Sequence, residues 1–92
     1  MQDLKTLVIQ SNLYWEDPER NRNAFEKIIE AKFDSHHLIV LPETFTTGFP
    51  VNPHLFSEKI DGPTIGWMKH ISTKYNTVIT GTILLQTNYH YA

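Results

Sequence analysis

The sequence contains no cysteine. That excludes a disulfide framework, a thiolate zinc site and any thiol nucleophile on this chain. Long apolar runs are also missing, since even Leu38-Ile39-Val40-Leu41 falls far short of the roughly 20 residues a membrane-spanning helix needs. The first residues, Met1-Gln2-Asp3-Leu4-Lys5, lack the basic segment and apolar core of a signal peptide, so a cytoplasmic location is expected. Neither sign of charge dominates: 8 basic and 10 acidic residues are mixed along the chain for a formal net charge of -2. This balance gives no electrostatic footprint for nucleic acid or an anionic membrane surface. Glycine is scarce, and Gly62-Pro63-Thr64-Ile65-Gly66 has neither the spacing of a dinucleotide fingerprint nor the lysine of a phosphate loop. No nucleotide cofactor is expected, and small molecules or proteins are the expected partners.

What is present is an ordinary globular composition, with 40% hydrophobic and 20% charged residues among 92. Three apolar runs read as strands buried on both faces: Leu7-Val8-Ile9, Leu38 to Leu41, and Val78-Ile79 continuing past Gly81 to Ile83-Leu84-Leu85. Between the first two, Asp17-Pro18-Glu19 supplies a helix N-cap, a proline for the first helical position and an acid near the positive helix end. Phe25, Ile28 and Ile29 then form an apolar stripe, with Arg22, Glu26 and Glu30 expected to face water. After a long turn-rich connection, Asp61-Gly62-Pro63 opens a second helix with Ile65, Met68, Ile71 and Tyr75 at near-helical spacing. Strand, helix, strand, long loop, helix, strand is an α/β arrangement. Tyr89-His90-Tyr91-Ala92 reads as the opening of a fourth strand, so the 92 residues read as a partial domain, truncated after the third strand or early in the fourth. Two helices leave apolar sheet surface with nothing to pack on.

Glu43 is the residue best placed for chemistry, because it follows Leu38 to Pro42 at the C-terminal end of the strand expected to be central. Its neighbours Leu41, Phe45 and Phe49 would partly desolvate the carboxylate and favour proton uptake, as a general base requires. On spacing alone, a solvent-facing glutamate in a Pro-Glu turn is the better reading. The five histidines make no metal site: His36 and His37 are adjacent and would diverge on a strand, and His54, His70 and His90 have no ligand spacing. Trp15 and Trp67 read as packing residues. Thr44, Thr46 and Thr47 either donate to a ligand or satisfy their own loop.

The string Leu38-Ile39-Val40-Leu41-Pro42-Glu43-Thr44-Phe45-Thr46-Thr47-Gly48-Phe49 resembles the nitrilase superfamily of carbon-nitrogen hydrolases. Three flanking segments are similar to the same family in order and spacing: Trp15 to Asn21 to the start of its first helix, Asp61 to Thr64 with Trp67-Met68 to its second, and Val78 to Gly81 to its next strand. The Phe-Thr-Thr-Gly-Phe and Trp-Glu-Asp-Pro strings look most like the omega-amidase branch. The resemblance covers Thr6 to the last residue and implies the N-terminal portion of an α-β-β-α sandwich. It implies hydrolysis of the terminal amide of dicarboxylate monoamides such as 2-oxoglutaramate by a Glu-Lys-Cys triad, with no cofactor or metal and a homo-oligomer open for the full-length form. Glu43 matches the general base, and Phe45, Thr47 and Phe49 are the substrate contacts expected beside it. The family's lysine and cysteine fall beyond this sequence, so the chain alone is expected to be inactive. The alternative is a non-catalytic α/β binding or interaction module in which Glu43 is an ordinary surface residue.

Overall fold

The structure is a computed structural model that describes residues 4–50, 52 and 55–84. Five elements follow one another: β1 (Thr6–Val8), α1 (Pro18–Lys32), β2 (Leu38–Val40), α2 (Pro63–Tyr75) and β3 (Val78–Thr80). The strands form one parallel sheet in the order β1-β2-β3, with Leu7 beside Ile39 and Ile39 beside Ile79. Each parallel pair therefore needs a helical crossover, which α1 and α2 supply. The expected order and the central place of β2 are both realised.

Local chemistry explains the helix limits. Asp17 accepts a hydrogen bond from the Arg20 amide and Pro18 fills the first turn of α1, while Lys32 lies in its last turn. Gly62 precedes α2 and offers no side-chain cap. Glu58 substitutes from outside the helix, accepting from the Thr64 amide at 2.7 Å and from the Thr64 hydroxyl. At the other end of α2, Asn76 adopts φ 50°, and its amide reaches the carbonyls of Ser72 and Thr73. A left-handed residue is a common way to satisfy a helix's last carbonyls.

The core lies between the helices and one face of the sheet. Phe25, Ile29, Ile39 and Ile71 are buried there with Ile9, Leu41 and Phe45, and Leu7, Ile79, Trp67 and Met68 pack against them. Period-two alternation sends the flanking residues to the opposite face. There Val8 is 59% and Val78 63% exposed, which corrects the expectation of strands buried on both faces. Both helices lie on one side, and on the other Val8 and Val78 are exposed with Leu38 and Val40 half-buried between them.

Two further expectations are corrected. Arg22 and Glu26 do not simply face water: the Arg22 side chain, 15% exposed, donates to Thr64 Oγ1 at 3.1 Å, and Glu26 accepts from Trp67 Nε1 at 2.9 Å. These contacts tie α1 to α2. The third strand ends at Thr80 rather than continuing through Gly81. Trp67 packs as expected, whereas Trp15 is exposed. The expected fourth strand at Tyr89 to Ala92 lies outside the described residues, as do His54 and His90.

Candidate functional site

The loop that leaves β2 begins as an extension of the sheet, with the Leu41 amide donating to the Thr80 carbonyl at 2.9 Å. Leu41 and Phe45 both turn into the core, being 5% and 0% exposed. Phe45 meets Phe25 edge-on with ring centroids 5.8 Å apart and lies 5.8 Å from Trp67. Between these anchors the chain reverses through Thr44, whose φ of 42° is a strained value for a β-branched residue.

Hydrogen bonds hold that reversal from several sides. The Thr44 carbonyl accepts from the amides of Thr47 at 3.1 Å and Gly48 at 2.8 Å, closing the turn. Its amide donates to the Thr82 hydroxyl at 2.8 Å. The Thr46 carbonyl accepts from Asn21 Nδ2 at 2.6 Å, and the Thr47 carbonyl accepts from the Glu16 amide at 3.1 Å. Gly48, at φ 72°, lies against the Trp15 ring, where a Cβ would stand 3.3 Å from two ring carbons. The backbone of residues 44–48 is thus fixed to the start of α1 and to the segment after β3.

Glu43 sits on this fixed support just past the C-terminal end of the central strand, and its side chain is exposed. It makes no hydrogen bond or ion pair among the described residues. The expected desolvation by Leu41, Phe45 and Phe49 is therefore corrected: the first two point into the core and Phe49 is itself 69% exposed. A carboxylate here is free to meet a reacting group, but described residues do not shield it from water.

The other three sequence candidates separate. Phe45 is fully buried, so its ring holds the loop down and cannot touch a substrate in this arrangement. Thr47 is 2% exposed, and its hydroxyl donates to the Gly48 carbonyl at 2.8 Å, the backbone-satisfying alternative for a loop threonine. Phe49 is exposed and remains available for contact. Neither Asn21 nor Thr82 is singled out by the sequence as a support of this loop. For Asn21 a signal exists, because it stands four residues before Phe25 and eight before Ile29 on the buried stripe of α1.

The cations and metal candidates lie elsewhere. Lys69 and Lys74 are on α2, and Lys74 pairs with Glu30 at 3.7 Å on the surface. His36 and His37 precede β2, accepting from the amides of Asp34 and Lys5 respectively. Among the described residues no three His, Asp or Glu side chains are grouped to hold a metal ion, and no helix is long and apolar enough to cross a membrane.

Comparison with known proteins bears on the same region. The family model described as carbon-nitrogen hydrolase matches residues 6–91. The chain is 33% identical over 87 residues to the omega-amidase YafV of Yersinia enterocolitica, covering 95% of this chain and 33% of that protein. The omega-amidase YafV of Escherichia coli K12 is similar to the same extent, at 33% identity and the same coverage. A crystal structure of XC1258 from Xanthomonas campestris, a CN-hydrolase superfamily protein with an arsenic adduct in its active site, superposes with a TM-score of 0.92 at 33% identity. That match covers 99% of this chain and 34% of the other. The chain spans about a third of the length of these relatives.

Proposed function

Because this chain belongs to the carbon-nitrogen hydrolase family, we propose that it is the N-terminal portion of an omega-amidase-like enzyme, folded in full as an α-β-β-α sandwich. Its substrate class is the dicarboxylate monoamides, of which 2-oxoglutaramate is the type. The reaction releases ammonia and leaves a carboxylate. No cofactor takes part, and the full-length form is cytoplasmic.

In this reading Glu43 is the general base. It accepts the proton of a cysteine thiol, and the thiolate attacks the amide carbon. A lysine ammonium stabilises the oxyanion of the tetrahedral intermediate. Collapse expels the nitrogen as ammonia once Glu43 has passed it the proton taken from the thiol, and water then attacks the remaining thioester, giving a proton to Glu43, which returns it to the departing cysteine thiolate. The cysteine and lysine come from residues outside this sequence, since it has no cysteine and its described lysines on α2 serve the surface. Those residues also supply the shielding that Glu43 lacks here. The chain alone is inactive.

The observation that carries this reading is the position of Glu43 at the C-terminal end of the central parallel strand, on a loop whose backbone is fixed from several sides. Chemistry in α/β sheets gathers at such strand ends. Phe49, exposed on the same loop, is the substrate contact retained from the three sequence candidates.

The test is Glu43→Gln in the full-length protein. Glutamine keeps the size and a carbonyl acceptor but cannot take a proton near neutral pH. Amide turnover should fall by about 10² to 10⁴ with little loss of stability. Activity within a few-fold of the parent would remove Glu43 from the mechanism, and a parent without amide turnover would leave the non-catalytic module as the reading.

A further inference from the structure

Asn21 is among the largest fully buried side chains, a place otherwise held mostly by phenylalanine and isoleucine, and it is 1% exposed. Its backbone belongs to the first turns of α1, where its amide donates to the Asp17 carbonyl at 3.0 Å. Its side chain serves other segments. Oδ1 accepts from the Tyr14 amide at 2.8 Å, and Nδ2 donates to the Tyr14 carbonyl at 2.7 Å and the Thr46 carbonyl at 2.6 Å. One primary amide has two donor hydrogens, and both are used. The partners also fix its orientation, because only the oxygen can accept from Tyr14 and only the nitrogen can serve two carbonyls.

The consequence reaches Glu43 through three residues of backbone. Thr46 lies inside the turn closed by Thr44, and the same turn is held at Thr47 by the Glu16 amide. Asn21 grips Tyr14 with both halves of its amide and Thr46 with the remaining hydrogen, so the segment before α1 and the Glu43 loop are locked to one helix. We infer that Asn21 is a positioning residue for Glu43, setting where the strand-end carboxylate stands, and this rests on the amidase reading of the site. A residue chosen only for core filling would be apolar here and would leave the Tyr14 and Thr46 carbonyls unpaired. An apolar residue of similar size could not perform the lock.

The test uses the full-length protein with Asn21→Asp and Asn21→Ser. Aspartate keeps the shape and the acceptor for Tyr14 but loses both donated bonds, and serine, shorter and with one hydroxyl hydrogen, keeps at most one of them without burying a charge. A base displaced by a fraction of an ångström to about 1 Å should lower kcat about 10- to 100-fold. KM should stay within about threefold, with the pH profile unchanged in shape, because the positioning loss acts on the reacting geometry. Amide exchange at Thr47 and Gly48 should accelerate while α1 and α2 keep their protection.

A kcat within twofold of the parent in a folded variant would overturn the inference, as would unchanged exchange at Thr47 and Gly48. Failure of both variants to fold would make Asn21 a structural residue and overturn it equally. If the parent itself hydrolyses no amide, the amidase reading fails on its own, and the exchange measurement alone decides whether Asn21 holds the Glu43 loop.

Discussion

Gly81 follows β3 at the point where the Glu43 loop packs into the core, and replacing it tests that packing directly. A Cβ built on Gly81 would stand 2.9 Å from Phe45 Cδ1, 3.1 Å from Cε1 and 3.2 Å from Leu41 Cβ. Carbon atoms in ordinary contact are about 3.5 to 4.0 Å apart, so the alanine needs about 0.6 Å of room or more. Phe45 cannot easily provide it. Its ring is fully buried between Phe25 and Trp67, with centroids 5.8 Å from each. Either the ring leaves its preferred rotamer or the segment after β3 moves, and overpacking of this kind costs about 1 to 3 kcal/mol.

The Phe45→Ala change removes the ring atoms that Gly81→Ala would strike. It costs about 3 to 5 kcal/mol by itself, from lost volume and two aromatic contacts. In the Phe45→Ala background, however, Gly81→Ala should cost under about 1 kcal/mol, giving a favourable coupling of about 1 kcal/mol or more. Urea unfolding of the parent, both single variants and the double variant of the full-length protein, followed by tryptophan fluorescence, measures the four stabilities. Additivity within about 0.3 to 0.5 kcal/mol would refute the argument that Phe45 wedges against Gly81 beneath the Glu43 loop.

Thr44→Val should leave stability unchanged or raise it by up to about 1 kcal/mol, because the Thr44 hydroxyl is buried with no hydrogen-bond partner among the described residues; a loss above about 1 kcal/mol in thermal unfolding would show that the hydroxyl is paired. The 92-residue chain by itself should aggregate or melt without cooperativity, since Val8 and Val78 lie exposed on one sheet face. A sharp two-state transition from a monomeric sample would contradict that.

Much of the fold is legible in the sequence because its signals are local. Asp17-Pro18 opens α1 by capping and a fixed proline φ, Gly62-Pro63 opens α2 by the proline φ, and the apolar runs fall where parallel strands form. What is not legible depends on partners distant in sequence. Arg22 and Glu26 look like a solvated helix face until α2 brings Thr64 and Trp67 against them. Glu58 caps α2 from outside the helix, so no N-cap pattern at Gly62 announces it. Two helices for three strands already imply uncovered apolar surface, but which residues lie on it is hidden for a similar reason: a short apolar run fits a strand covered on one side as well as on both, and only the positions of α1 and α2 decide.

The site shows the same division at a single residue. Leu41, Glu43 and Phe45 stand two apart, and on an ideal extended strand all three would share a face. The strand ends at Val40 and the turn begins at Glu43, with Thr44 left-handed, so the pattern is broken on both sides of Glu43: Leu41 and Phe45 enter the core while Glu43 stays in solvent. Apolar neighbours in sequence therefore anchor the loop without drying the carboxylate. Placement and shielding are separate requirements for a general base. The described residues provide the first, through Asn21, Thr82 and the buried Phe45 ring. If Glu43 acts as a base, its shielding must come from groups beyond this segment, which is why Glu43→Gln is informative in the full-length protein and silent in the 92-residue chain.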